Sequence, residues 1–554
     1  MKLLTTVLLL ILSTTLVFGQ LETKIDSLFA EYNNSPGCAI GVYSNGEILF
    51  KKGYGIANLD YDIKISPETV FEIGSVSKQF TAACIVLLEN EGKLSLDDDI
   101  RKYIPEIPEF LEGKITIRNL LHHTSGLRDY LILMYVSGIS FDDYFTEQIG
   151  LDILIRQKEL NFVPGSKFSY TNSGYLALAI IIRRVSGESI GTFAQKNIFD
   201  PLEMKNTFIY EDGSKVVKNR AIGYSKEGED YKRKHHFDFS VGGDGQVYTT
   251  VEDFFKWSEN FKSNKLGNDS FLNQMLTKGI LSNGDTLDYA LGLFHGVYKN
   301  LKTISHGGAW GGFRAYYLQF PEDDLTVTFM SNFEDVNPEQ KAKQIADLVL
   351  KESFTNDEVE NQDKKNYKQQ QYVHLKTNQL EKFVGNYWSE TYSFSRKIYV
   401  KNDTLRYYRS KTNENDLVPI RKNEFKMINV GGGVNVKFEV NGQGENTMSY
   451  IENGEDSTIF NEYKPKVCSK KELINFAGKY YSNELEISYS LKFEDDLLML
   501  YLNETKISPL KSIMMNLFTN DEFGTFKFKT DGNGKVYGFR LAVGSVKNLW
   551  FEKK

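Results

Sequence analysis

Residues 71–92 read FEIGSVSKQFTAACIVLLENEG, and in this stretch Val76, Phe80, Ala83, Leu87 and Leu88 recur at the spacing of one helical stripe, with Gly92 following as a stop. The spacing predicts a helix that opens at Ser75. Lys78, three residues on, shares a face with Ser75 in the first turn, so an amine comes within reach of a hydroxyl. A serine hydroxyl is a weak nucleophile near neutral pH and needs a neighbour to take its proton. An amine serves when burial and nearby cations depress its pKa, and helix N-terminal N–H groups favour an oxyanion developing beside them. The same Ser-x-x-Lys spacing recurs at Ser508 and Lys511, in a β-rich stretch. The spacing alone therefore leaves a plainer account open, with Ser75 a helix cap and Lys78 a solvated first-turn residue.

Two further segments carry chemistry. Residues 162–187, FVPGSKFSYTNSGYLALAIIIRRVSG, place Tyr170 and Asn172 between a Pro164-Gly165 turn and an apolar helix expected over 175–185. Tyr-x-Asn recurs elsewhere in the chain, at Tyr32 and Tyr298 among others, but only Tyr170 precedes a long apolar helix. A phenol near a lysine ammonium can relay a proton to a leaving group; the alternative is a core tyrosine with a bonded hydroxyl. Residues 305–332, SHGGAWGGFRAYYLQFPEDDLTVTFMSN, predict adjacent strands over 313–320 and 325–330 joined by a turn at 321–324. His306, Gly307 and Gly308 stand at the strand entrance, and with Gly311 and Gly312 they leave the backbone unshielded for a substrate. A glycine-rich bulge bearing an exposed histidine fits the same residues.

At 554 residues the chain has room for about three or four domains. Apolar residues at 41% and charged residues at 25% are globular proportions, which excludes global disorder. A net charge of -7 argues against nucleic acid as a partner. Residues 1–19, with Lys2 before an apolar run from Leu3 to Phe18, have the form of a cleaved secretory signal; an uncleaved membrane anchor is the alternative. No later apolar run is long enough to span a bilayer, so a soluble protein outside the cytoplasm, secreted or periplasmic, is expected. Cys38, Cys84 and Cys468 form neither a disulfide framework nor a zinc pattern. The adjacent pairs His122-His123 and His235-His236 cannot share a helix face, so no metal site is expected.

The polar stretch at 356–371 reads as a linker between a first domain at 20–355 and a β-rich tail. The tail is duplicated. Leu380-x-x-Phe383-x-Gly385-x-Tyr387 returns 93 residues later as Leu473-x-x-Phe476-x-Gly478-x-Tyr480. Alternation at Val434, Val436, Phe438 and Val440, and at Leu485, Ile487, Tyr489, Leu491 and Phe493, marks half-buried strands. Asn441-Gly442 and Asp531-Gly532 are expected to supply the positive φ of tight hairpins. Two antiparallel β-barrels or sandwiches follow, at 372–465 and 466–554, closed barrels being preferred because they leave no open edge.

In order, Ser75-x-x-Lys78, Tyr170-x-Asn172 and His306-Gly307-Gly308, supported by LLHHTSGL at 120–127, resemble the three motifs of the serine β-lactamase and penicillin-binding-protein superfamily. The class C-like branch with its D-aminopeptidases and esterases is nearest. The resemblance implies an α/β fold, an antiparallel sheet flanked by helices plus a helical subdomain. It implies a serine hydrolase acting through an acyl-enzyme on a small peptide or ester substrate. Ser75 would be acylated, Lys78 would take its proton, Tyr170 would shuttle a proton to the leaving group, and Asn172 would hold the lysine and the substrate amide. The N–H groups of Ser75 and Ala309 would form the oxyanion hole, with no cofactor and no metal. His306 stands where the family usually has lysine, so weak β-lactamase activity is expected unless Arg314 turns inward. A slow-acylating ligand sensor built on the same residues is the other reading. The barrels either help to choose the substrate or serve as passive modules.

Overall fold

The computed structural model describes residues 19–554 apart from 235–238, 352, 355–372, 392, 411–412, 429–433, 443 and 453–454. The leader expected at 1–19 (save Gly19), the linker at 356–371 and the His235-His236 pair lie outside the described residues. Two compact units divide the chain, parting along its main run between residues 355 and 356. Among the described residues no helix is long and apolar enough to cross a membrane.

The first unit is built on a six-stranded antiparallel sheet. Its strands are β1 (Cys38–Ser44), β2 (Glu47–Tyr54), β3 (Phe294–Tyr298), β4 (Leu301–Trp310), β5 (Phe313–Phe320) and β6 (Leu325–Ser331), in spatial order β3-β4-β5-β6-β1-β2. β1 and β6 pair from Cys38 opposite Ser331 to Ser44 opposite Leu325, so two ends of the unit meet at mid-sheet. Both strands are buried on both faces, which is why CAIGVYS and LTVTFMS lack a polar-out alternation.

The unit has four longer helices, α1 (Lys78–Asn90), α2 (Asn172–Ser186), α3 (Val251–Ser263) and α4 (Pro338–Val349); α3 and α4 pack on the sheet, and α1 and α2 pack on each other. Ala342, Ile345 and Ala346 of α4, with Ile25 and Phe29, cover the face bearing Ile40, Val42, Val327 and Phe329. On α3, Phe254 meets Tyr317 of the sheet at 5.5 Å between rings, and Trp257 meets Phe80 of α1 at 4.5 Å, so α3 ties the sheet to α1. Phe80 also touches Phe199 and Phe254. Truncating it to alanine costs about 3–5 kcal/mol.

Each element named from the sequence is present, with shifted bounds. The α1 stripe proves too narrow: every residue from Lys78 to Val86 is buried. The polar ones are accommodated by hydrogen bonds, Trp257 Nε1 to Gln79 Oε1 at 2.5 Å and Thr81 Oγ1 to Gly243 O at 2.6 Å. α1 stops as expected at Gly92, which takes φ +70°.

The second unit contains two closed eight-stranded antiparallel barrels, running from Gly385–Ser389 to Glu455–Tyr463 and from Gly478–Ser482 to Val546–Lys553. The repeated motif has a common physical role. Phe383 and Phe476 lie at the entrances, Phe383 against Phe425 and Phe438 and Phe476 against Phe518 and Phe528, all within 5.1 Å between rings. Tyr387 and Tyr480 each donate their hydroxyl to the carbonyl of that phenylalanine, at 3.1 and 2.6 Å. Alternation ends earlier than read, since Val440 is exposed. The hairpin turns also differ: Gly444 and Gly534 carry the positive φ, not Asn441-Gly442 or Asp531-Gly532. Asn441 and Asp531 instead accept a backbone N–H four residues on through Oδ1, which closes the loop. Cys38, Cys84 and Cys468 are free thiols.

Candidate active site

Ser75 does not stand in α1 itself. It lies in a 3₁₀ turn, Gly74–Ser77, that runs straight into Lys78. In a 3₁₀ turn residues three apart eclipse, which aligns the two side chains better than an α-turn would. Lys78 Nζ is 3.0 Å from Ser75 Oγ. Its other partners are Asn172 Oδ1 at 2.9 Å and the Asp244 carbonyl at 2.8 Å, and Lys78 is fully buried. Those two oxygens can only accept, whereas a hydroxyl can also donate. A neutral amine therefore fits this cage as well as an ammonium, with two N–H bonds kept and its lone pair turned to the Ser75 hydroxyl.

Backbone contact holds the turn against β4. Gly74 has φ +50°, and a Cβ there would lie 2.7 Å from Ala309 N; a Cβ on Gly308 would lie 1.9 Å from Ile73 O. Gly312 meets Gly223 and Tyr224 in the same way. Gly74, Gly308 and Gly312 thus answer a close approach by the chain's own backbone. The result sets the amides of Ser75 and Ala309 side by side. Ser75, Asn172 and Ala309 line one cleft together with Glu72, Asp244 and Trp310.

The second motif straddles a helix start. Thr171 caps α2, its side chain accepting from Ser173 N, so the helix begins three residues before the expected Tyr175. Tyr170 and Asn172 flank that cap. Asn172 holds Lys78 with its oxygen and gives its Nδ2 to Asp129 Oδ2 at 3.0 Å, so the amide is oriented from below by a carboxylate. Asp129 Oδ2 also accepts Asn172 N at 2.6 Å, and burial raises this carboxyl above its ordinary range. The ring of Tyr170 lies 5.0 Å from Lys78 Nζ and 4.1 Å from the His123 ring, while its hydroxyl is buried and makes no hydrogen bond among the described residues.

His306 is 3% exposed, and both of its nitrogens are engaged inside the protein. Nδ1 lies 2.7 Å from Gly307 O, which can only accept, so Nδ1 carries the proton and Nε2 accepts from Tyr289 Oη at 3.3 Å. Tyr289 is also 3.1 Å from His123 Nε2, and His123 Nδ1 accepts Thr171 N at 3.2 Å. One direction satisfies the whole chain: Thr171 N–H to His123, His123 to Tyr289, Tyr289 to His306, His306 to Gly307. Burial and the charge of Lys78 hold His306 down at about 3 and His123 well below 6.5, so both are neutral at pH 7. Arg314 supplies no cation to the cleft, since it binds Glu334 at 3.3 Å and the Phe313 carbonyl. Gly307 is less confined than Gly308: a Cβ on it would meet only the Tyr316 ring, at 3.5 Å.

Sequence reasoning missed Glu72, Asp129, Asp244 and Tyr289, and set His123 aside as half of an adjacent pair. His123 is fully buried at φ +55°, a conformation that no spacing discloses. Asp244 Oδ2 accepts from Tyr130 at 3.0 Å, and burial pushes Asp244 up to about 6. Glu72 Oε2 accepts from Tyr248 at 3.0 Å, and burial pushes Glu72 up to about 8.

Comparison with known proteins agrees with this geometry. A D-aminopeptidase of Gluconobacter oxydans is 26% identical over 314 residues, 57% of this chain and 59% of its own length. A penicillin-binding protein of Bacillus subtilis is 29% identical over 325 residues, 55% of this chain and 70% of its own length. The chain thus spans under two thirds of that D-aminopeptidase. The octameric penicillin-binding protein homologue from Pyrococcus abyssi shares the fold, with a TM-score of 0.54 at 22% identity over 80% of this chain and 99% of that one. The Beta-lactamase family model matches residues 25–351, the segment that contains all three motifs and the cleft they frame; the chain belongs to the Beta-lactamase family.

Proposed function

We propose that this protein is a serine hydrolase that opens amide or ester bonds through an acyl-enzyme on Ser75. The supporting observation is the Lys78 cage, in which two partners only accept and the third is the Ser75 hydroxyl. The Ser75 proton passes to the Lys78 amine as Oγ attacks the carbonyl carbon, and the resulting oxyanion meets the N–H groups of Ser75 and Ala309. The leaving amine or alcohol takes a proton as its bond to carbon breaks, and we assign the relay to Tyr170, whose buried hydroxyl makes no hydrogen bond among the described residues. Water then releases the acid and restores Ser75.

Small D-amino acid amides or peptides, or short esters, are the proposed substrates. The D-aminopeptidase relatives support this class, and so does the neutral His306, which offers no charge to a substrate carboxylate. The apolar run from Leu3 to Phe18 supports action outside the cytoplasm. Exposure to a fluorophosphonate followed by peptide mass mapping should give one adduct, on Ser75. A folded Ser75→Ala chain that still turns over substrate would overturn the assignment.

A further inference from the structure

The duplicated barrels differ at one mouth. In the first barrel Ile398 pairs across to Tyr407, and in the second Leu491 pairs across to Leu500, so the two registers superpose position by position. Gly385 opposite Ile398 and Gly478 opposite Leu491 confirm the match. Strand side chains alternate, so Phe394 and Arg396 share the inward face of Ile398, and Arg409 shares that of Leu405 and Tyr407. The second barrel has Tyr489, Leu500 and Leu502 at the positions of Arg396, Tyr407 and Arg409, all buried. There Tyr489 donates its hydroxyl to Val136 O at 2.6 Å and Leu502 meets Gly138, residues of a segment that belongs to the same unit, whereas the first barrel carries two cations at the matching positions.

Neither inward arginine meets a carboxylate among the described residues. The Arg396 guanidinium lies over Phe394 at 3.9 Å and near Tyr407 at 5.9 Å, donates to Ser395 O at 2.8 Å, and leaves its Nε buried without a partner. Arg409 lies over the same Tyr407 ring at 4.7 Å and bonds Asn413, Asn415 and the Met427 sulfur. The outward Arg406 of the same strand is different, being paired with Glu414 and Asp416. Acid is thus at hand on this barrel and is spent on the outer face. Two like charges half-buried near one tyrosine repel each other, and burial and Arg409 together push Arg396 down from its ordinary value.

We infer that the inward-facing Arg396 and Arg409 of the first barrel form a binding site for the carboxylate of a small, partly apolar molecule, held between the two guanidiniums with its body against Phe394 and Tyr407. Planar guanidinium forks match a carboxylate in two-point geometry, and the aromatic surfaces suit an unsaturated or apolar body. This inference stands apart from the chemistry at Ser75.

Calorimetric titration of the full chain with sodium benzoate tests it, with benzamide as the uncharged counterpart and inorganic phosphate as the competing anion. Arg396→Tyr and Arg409→Leu give the first barrel the residues of the second, and their melting curves and hydrolytic rates check that the chain is intact. The expected result is saturable uptake of one benzoate, weakened at least about tenfold by either change, with benzamide failing to bind. Because a variant barrel could unfold, phenylglyoxal labelling of the wild-type chain is the second measurement, and benzoate should protect Arg396 and Arg409 in the peptide map. Absence of saturable benzoate uptake, uptake unchanged in both variants, no protection, or a preference for phosphate over benzoate would each overturn the site as assigned.

Discussion

Tyr289 Oη lies 3.3 Å from His306 Nε2 and donates to it, which leaves the histidine of the third motif with no free nitrogen. The same phenol accepts from His123. Replacing Tyr289 by phenylalanine strands a buried N–H on one side and a buried acceptor on the other, a loss of about 1–3 kcal/mol. The expected outcome for Tyr289→Phe is a lower unfolding midpoint in denaturant and a fall in kcat larger than any change in KM, since Tyr289 stands behind the residues that line the cleft at Ser75.

Lys78→Met keeps much of the buried side chain and removes the proposed base. Acyl-enzyme formation, followed as the burst of product from an activated ester, should drop by roughly three orders of magnitude. Binding of substrate should change far less. A burst that survives in Lys78→Met would move the role of base elsewhere, with Tyr170 next to be replaced.

Substrate preference follows from the charge at the third motif. His306 stays neutral and Arg314 is held by Glu334, so a substrate carboxylate gains no ion pair in the cleft. Parallel assays are expected to show turnover of a D-amino acid amide or a short nitrophenyl ester, and a chromogenic cephalosporin cleaved at least about a hundredfold less efficiently, the size of a lost charge-assisted hydrogen bond or two.

Glu72 couples stability to pH. Its folded pKa, raised by burial to about 8, lies above the unfolded value of 4.5, so the folded state binds the extra proton. Its contribution is fully present below about pH 4.5 and is lost as the pH rises through about 8. Tyr248 and Arg220 oppose the shift and Asp244 adds to it. Glu72→Gln cannot ionise. Chemical denaturation between pH 5 and 9 should show the variant gaining on wild type as the pH rises, by an amount on the order of a few kcal/mol.

Local chemistry and periodicity made only part of this molecule legible in its sequence. Ser75, Lys78 and Asn172 were legible because each sits in a short motif near a helix start, Ala309 only through the family resemblance, and the barrels because Phe383 and Phe476 repeat with their tyrosines. Asp129, Asp244 and Tyr289 were missed for a common reason: each acts through a partner distant in the chain or set in another element, and a lone acid or phenol in a stretch of sequence has no period to betray it. The backbone contacts of Gly308 and Gly312 were hidden for the same reason. A glycine announces that something comes close, not what.

The interlock of Gly74 with Ala309 and of Gly308 with Ile73 has a consequence for how a site built on it could diversify. The proposed nucleophile and oxyanion donor ride on main chains that touch without side chains between them, so a side chain added at Gly74 or Gly308 would force the two apart. Room for a different substrate lies around this joint, in the side chains that wall the cleft.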